Sequence, residues 1–205
     1  MPLDYSGPVS INACREACIA VVETPVESDD YLMDRFRGGD VKAFDQLYRR
    51  HRGPLHRVLL RLSHSSVDAE EVFQEVWLTV LRSSDRYTGQ GRFAAWLYAI
   101  AHRRRTDRLR SLGRRRSAEA VTSELFIEAV EPNGEAGLDA VQLGRALLAA
   151  IEALPLMQRE AFLLQAEGGL TLDEIARITE VGRETVKSRL RYANQRLRQV
   201  MEAHQ

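Results

Sequence analysis

Wherever apolar side chains recur regularly in this chain, the spacing is helical. Val72, Phe73, Val76, Trp77, Val80 and Leu81 return at intervals that align on one stripe of a helix over residues 67–83. Ala43, Phe44, Leu47 and Tyr48 form a second such stripe, and Leu55, Val58, Leu59 and Leu62 continue the pattern. Nowhere do Val, Ile and Thr cluster in the alternation of a half-buried strand. The chain is therefore read as all-α. With 205 residues and 44% hydrophobic composition it has material for one domain or two small ones.

Charge divides the chain further. The formal net charge is zero, yet residues 86–116 hold ten Arg against one acid, Asp107. Residues 117–144 hold six acids and no Lys or Arg, and residues 181–200 hold six bases against Glu184. Two basic segments separated by an acidic one suggest two nucleic-acid surfaces that a neutral total conceals.

Helix punctuation fixes the order of elements. A helix pair is expected over residues 30–52, broken at Gly38-Gly39, with Asp40 capping the second member. Pro54 permits a helix restart, and residues 63–66 form a turn. Asp68 or Ser66 caps the helix of residues 67–83, on which Glu71, Gln74 and Glu75 lie off the apolar stripe. A loop at 84–92 precedes a long helix from Phe93 to about Leu112, apolar in its first half and Arg-rich in its second. Residues 113–137 have a linker composition that buries little apolar surface. Helices follow at 138–154, ended by Pro155, and at 156–167, stopped by Gly168-Gly169. Residues 1–29 read as mostly disordered, with a short helix possible at 11–22. Cys14 and Cys18 would share a face of it, and incidental thiols are the favoured reading of that pair.

The stretch 171–198 reads as a helix-turn-helix. Ile175 and Ala176 face inward from the first helix, Val181 and Gly182 lie in the turn, and Val186 and Leu190 share a face of the second. Arg183, Glu184, Thr185, Lys187, Ser188 and Arg191 remain on its polar surface. Those residue types reach base edges and phosphates in a major groove. A plain helical hairpin with a solvated face has the same pattern, so this motif alone leaves DNA binding open.

Other classes lack their marks. No phosphate-binding Gly loop, nucleophile motif or metal-spaced His cluster is present, so no enzyme activity, cofactor or metal is expected. No run approaches the ~20 apolar residues of a membrane span, and no secretory signal is readable, so a cytoplasmic protein is expected.

In combination these segments resemble a bacterial RNA polymerase sigma factor of the extracytoplasmic-function type (sigma-70 family, group IV). DAEEVFQEVWLTVL (68–81) resembles region 2.2, and GRFAAWLYAIAHRRRTDRLR (91–110) resembles regions 2.3 and 2.4. LPLMQREAFLL (154–164) followed by LTLDEIA and ETVKSRLRYA resembles region 4. The resemblance implies a region 2 bundle at 30–112, a flexible acidic linker at 113–137 and region 4 at 138–205, after an extension at 1–29.

It also implies roles. Asp68, Glu71, Gln74 and Glu75 would dock on the β′ coiled coil of core polymerase, and region 4 on the β flap. Arg86, Arg92, Arg103, Arg104, Arg105 and Arg108 would serve the −10 element, with sequence choice in the 86–92 loop, where a base is flipped into a pocket. Trp96 and Tyr98 are stacking candidates, although Trp96 is in register with the core residues Phe93 and Ile100. Arg183, Glu184, Thr185, Lys187, Ser188 and Arg191 would read the −35 element. Glu180 stands where many helix-turn-helices have Gly, and a turn shifted toward Gly182 would relieve it. An anti-sigma factor is the expected regulator. The alternatives are a sigma-like decoy that binds an anti-sigma factor without initiating transcription, and a plain helix-turn-helix regulator.

Overall fold

Ser28 opens the first helix: its hydroxyl accepts the Tyr31 N–H at 3.2 Å, and Asp29 and Asp30 occupy the electropositive first turn of α1 (Asp29–Arg37). The computed structural model describes residues 27–88, 92–116 and 138–202. The expectations for the extension with Cys14 and Cys18, for the acidic segment 117–137 and for the tip of the 84–92 loop lie outside these residues.

Gly38 and Gly39 end α1, with Gly39 at φ +96°. Asp40 then caps α2 (Val41–Leu62) by accepting the Lys42 N–H. Pro54 does not restart a helix. It sits inside α2, which runs unbroken for 22 residues. Leu47, Leu55, Val58 and Leu59 are buried on both sides of it, and that packing outweighs the one backbone hydrogen bond a proline removes. The cap of α3 (Ser66–Arg82) is Ser65, neither of the expected Ser66 and Asp68. Its hydroxyl accepts the Asp68 N–H and donates to the Asp68 carboxylate. A short 3₁₀ turn (Ser84–Arg86) leads toward α4 (Phe93–Arg116), which continues past the expected end at Leu112.

These four helices close on Leu32, Met33, Leu47, Leu59, Val72, Val76 and Leu97, all nearly inaccessible. Phe44, Tyr48, Phe73 and Trp77 add an aromatic cluster, in which Trp77 of α3 meets Phe44 and Tyr48 of α2 edge-on.

The second unit comprises α5 (Leu138–Glu152), α6 (Leu156–Ala166), α7 (Leu172–Ile178) and α8 (Arg183–Glu202). Gly169 at φ +59° ends the link from α6. Thr171 and Glu174 form a reciprocal capping box on α7. Val186, Leu190, Ala193 and Leu197 make the buried stripe of α8, against α5, α6 and α7. The turn of the motif is not shifted toward Gly182. Glu180 itself adopts the left-handed conformation, at φ +54°, while Gly182 does not. Among the described residues there is no strand, and no helix is long and apolar enough to cross a membrane.

Candidate nucleic-acid interface

The recognition helix is presented as its sequence dictates. Burial of Val186 and Leu190 turns Arg183, Glu184, Thr185, Lys187, Ser188 and Arg191 outward, and all six are exposed. Arg183 is steadied by Asp173 of α7 at 3.0 Å, and Lys187 lies 3.5 Å from Glu184. Arg191 stacks over the Tyr192 ring, 5.0 Å from its centroid. These pairs are exposed and weak, so a phosphate or a guanine edge can displace them.

The acidic face of α3 is equally open at Glu71, Gln74 and Glu75, beside the exposed Leu78. Asp68 is different. It is half-buried and accepts two hydrogen bonds from Arg108, which also pairs with Glu71. That contact raises the Arg108 guanidinium further above its ordinary range. Arg108 thereby fastens α4 to α3.

The remaining arginines of the expected −10 surface divide by helical phase. Arg86, Arg103 and Arg104 are exposed, and Arg104 donates to the Thr79 hydroxyl at 3.0 Å. Arg105 is 5% exposed. It lies between the two units, paired with Glu160 of α6, to which His102 is also hydrogen-bonded at 2.9 Å. Burial pushes the Glu160 carboxyl upward, but His102 and Arg105 outweigh it and hold the group below its ordinary value. Arg92 grips Glu174 at 2.6 Å and the Gly169 carbonyl at 2.9 Å. Its hydrogen bonds, helped by those of Thr171, lower the Glu174 carboxyl to about 2.

These contacts belong to a packed junction between the units. Arg57 of α2 clasps Glu167 through three hydrogen bonds of 2.7–3.0 Å. Arg159 donates to the carbonyls of Arg61, Glu152 and Leu154, so one guanidinium meets the ends of α2 and α5. Gly168 rests on the Tyr98 ring. A Cβ there would stand 2.9 Å from the ring and 2.6 Å from the Leu164 carbonyl oxygen. With the two units packed together Tyr98 is 1% exposed and closed off from bases. Trp96, assigned by register to the core, is only half-buried. It lines a cleft of about 270 Å³ with Arg86, Tyr87, Arg92, Glu174 and Arg177.

Much of this junction was missed from sequence, although its pattern is readable. Leu97, Ala101 and Arg105 are four apart, so Arg105 continues a buried stripe. Glu160 lies four before the buried Leu164 in the same way. Thr171 and Glu174 have the spacing of a capping box, but nothing local reveals that Glu174 also receives Arg92.

Comparison with known proteins gives the constellation its setting. Residues 47–115 match the model of sigma-70 region 2 and residues 144–197 that of sigma-70 region 4. The chain is 33% identical over 162 residues to the ECF RNA polymerase sigma factor SigE of Mycolicibacterium smegmatis, covering 79% of this chain and 63% of SigE, less than two thirds of that relative. It is 30% identical over 179 residues to SigK of Mycobacterium tuberculosis, covering 84% of this chain and 93% of SigK. Identity to SigM of the same organism is 32% over 174 residues, 85% of each chain. Among solved structures, the sigma factor RpoE of Bartonella quintana, crystallised with the anti-sigma factor NepR, has a TM-score of 0.62 at 26% identity over 78% of this chain and 98% of that one. CnrH, solved with the cytosolic domain of CnrY, shares the fold at a TM-score of 0.57 and 21% identity, over 86% of this chain and 99% of that one.

Proposed function

This chain belongs to the ECF RNA polymerase sigma factors, a premise from which we propose how its surfaces divide the work of promoter recognition. It binds core RNA polymerase and directs initiation at promoters with −35 and −10 elements. Residues 30–112, with the last turn of α4 to 116, act as region 2 and 138–205 as region 4, with the remainder up to 137 as the linker and 1–29 as an extension. The exposed face of α8 reads the −35 element as duplex, through Arg183, Glu184, Thr185, Lys187, Ser188 and Arg191. Region 2 engages the −10 element through the exposed Arg86, Arg103 and Arg104, and through Arg92 and Arg105 once the two units part, while Arg108 stays tied to Asp68 and Glu71 and holds the helix that carries them; the 86–92 loop makes the sequence choice. Glu71, Gln74 and Glu75, with Asp68 behind them, meet the β′ coiled coil, while region 4 meets the β flap. No catalytic residue or cofactor is assigned. The protein acts in the cytoplasm under an anti-sigma factor, the kind of partner with which RpoE of Bartonella quintana was crystallised.

The observation that carries this reading is the simultaneous exposure of two opposite-sign surfaces on the two matched regions: acids on α3 and cations on α8. Reconstitution with core polymerase and sequencing of the transcripts tests it. Promoter-specific transcripts are expected, whereas a decoy or a plain regulator yields none. Charge reversal at Glu71 and Glu75 is expected to abolish core binding; intact binding refutes the docking assignment.

A further inference from the structure

The start of α4 is tied to another helix. Its first turn contains no acid. Asp30 of α1 accepts the Phe93 N–H at 3.1 Å. The same oxygen, Oδ1, accepts the Tyr87 hydroxyl proton. Tyr87, near the start of the 86–92 loop, and Phe93, just after its end, are both buried. One carboxylate oxygen therefore holds both ends of that loop.

The anchor is itself fixed. Its neighbour Asp29 pairs with Arg50 at 2.8 Å and His51 at 2.7 Å, which locks the start of α1 onto α2. The His51 ring in turn lies 5.1 Å from that of Phe93. The Tyr87 ring packs against Phe93 and Trp96, with centroids 6.1 and 5.1 Å away. Burial, with the nearby Asp30 carboxylate, pushes the Tyr87 hydroxyl well above its ordinary range, so it stays protonated and donates. Arg86, Arg92 and Trp96 line the cleft beside these anchors.

We propose that Asp30 is a positioning residue for −10 selectivity, setting the spacing of the 87 and 93 ends of the loop without touching DNA. This rests on the reading of the 86–92 loop as the −10 reader. Holding residues 87 and 93 at a fixed spacing fixes the placement of Arg86 and Arg92 beside them, and a misplaced contact to a base then loses its directional hydrogen bonds while phosphate attraction persists.

The test uses reconstituted holoenzymes of the full chain and duplex templates randomised across the −10 segment, downstream of the −35 sequence that the wild type selects. Asp30→Ala is expected to reduce discrimination at −10 positions by about tenfold, with core binding and −35 preference retained. Asp30→Asn keeps an acceptor oxygen and should stay within about twofold of wild type, while Tyr87→Phe, which cuts one of the two ties, falls between. If Asp30→Ala does not fold, Tyr87→Phe against wild type makes the same comparison. An unchanged base profile, or an equal loss on every template, overturns the proposal. Arg86→Ala and Arg92→Ala separate the two levels. If they leave the −10 profile intact, the loop is not the reader and both ideas fall; if they shift it while Asp30→Ala does not, only the positioning role falls.

Discussion

Glu180 holds φ at +54° in the turn of the helix-turn-helix, where its Cβ crowds the backbone. The sequence pointed to this residue as awkward but offered Gly182 as an escape. The structure shows why the escape is not taken. The Val181 N–H bonds to the Ala176 carbonyl at 3.1 Å, and Gly182 provides the carbonyl that starts α8. Glu180→Gly should raise unfolding free energy by about 1 kcal/mol, measured by chemical denaturation, with −35 binding unaltered. Gly168 is the opposite case. Gly168→Ala drives a Cβ against Tyr98 and the Leu164 carbonyl, and a loss of about 1–3 kcal/mol is expected. Because Tyr98 and Gly168 belong to different units, the loss should appear together with a larger radius of gyration by X-ray scattering.

Among elements, α7 is short and leans on a single acid. Glu174 closes its capping box and receives Arg92 from the other unit. With its carboxyl lowered from 4.5 to about 2, the stabilisation is whole above the ordinary value and is lost as pH falls from there through about 2. Arg92 is half-exposed, so after allowance for solvent screening the contribution is about 1–2 kcal/mol. Thermal unfolding of the wild type should lose that amount on acidification through this window, and Glu174→Gln should lose much less. The capping half of this role is written in the T-x-x-E spacing; the Arg92 half joins residues 82 apart in the chain and leaves no local mark. The α4 helix gives a similar lesson. Its arginines look like one basic block by composition, yet helical phase sends Arg105 and Arg108 to acids and leaves Arg103 and Arg104 exposed. For α8, whose outward face follows from its apolar register, Arg191→Ala should weaken −35 DNA binding and reduce the salt slope by about 1 if Arg191 meets a phosphate. An unchanged slope with relaxed base preference would place it on a base edge instead.

For the whole molecule, the helical content and the order of elements were legible, because the helices have apolar periods of their own and α1, α2, α3 and α7 have side-chain caps of their own. How the two units sit together was not, because it depends on pairings between distant charged residues. Those pairings engage Arg92 and Arg105, two of the arginines assigned to the −10 element. The units are therefore expected to part before both arginines meet DNA. Glu160→Ala should strand Arg105 and favour separation, seen as an increased radius of gyration at neutral pH. If the dimensions are unchanged, Glu160 does not hold the units together.

The junction is made of guanidinium–carboxylate and guanidinium–carbonyl contacts around one tyrosine ring. When such a surface opens, its charged groups hydrate, which offsets part of the cost of exposing Tyr98. Arg159 loses only the Arg61 carbonyl and keeps those of Glu152 and Leu154 within its own unit. Opening therefore exchanges buried ion pairs for hydrated ones while each unit keeps its own helix caps and carbonyl contacts, so the seam is suited to part and close again.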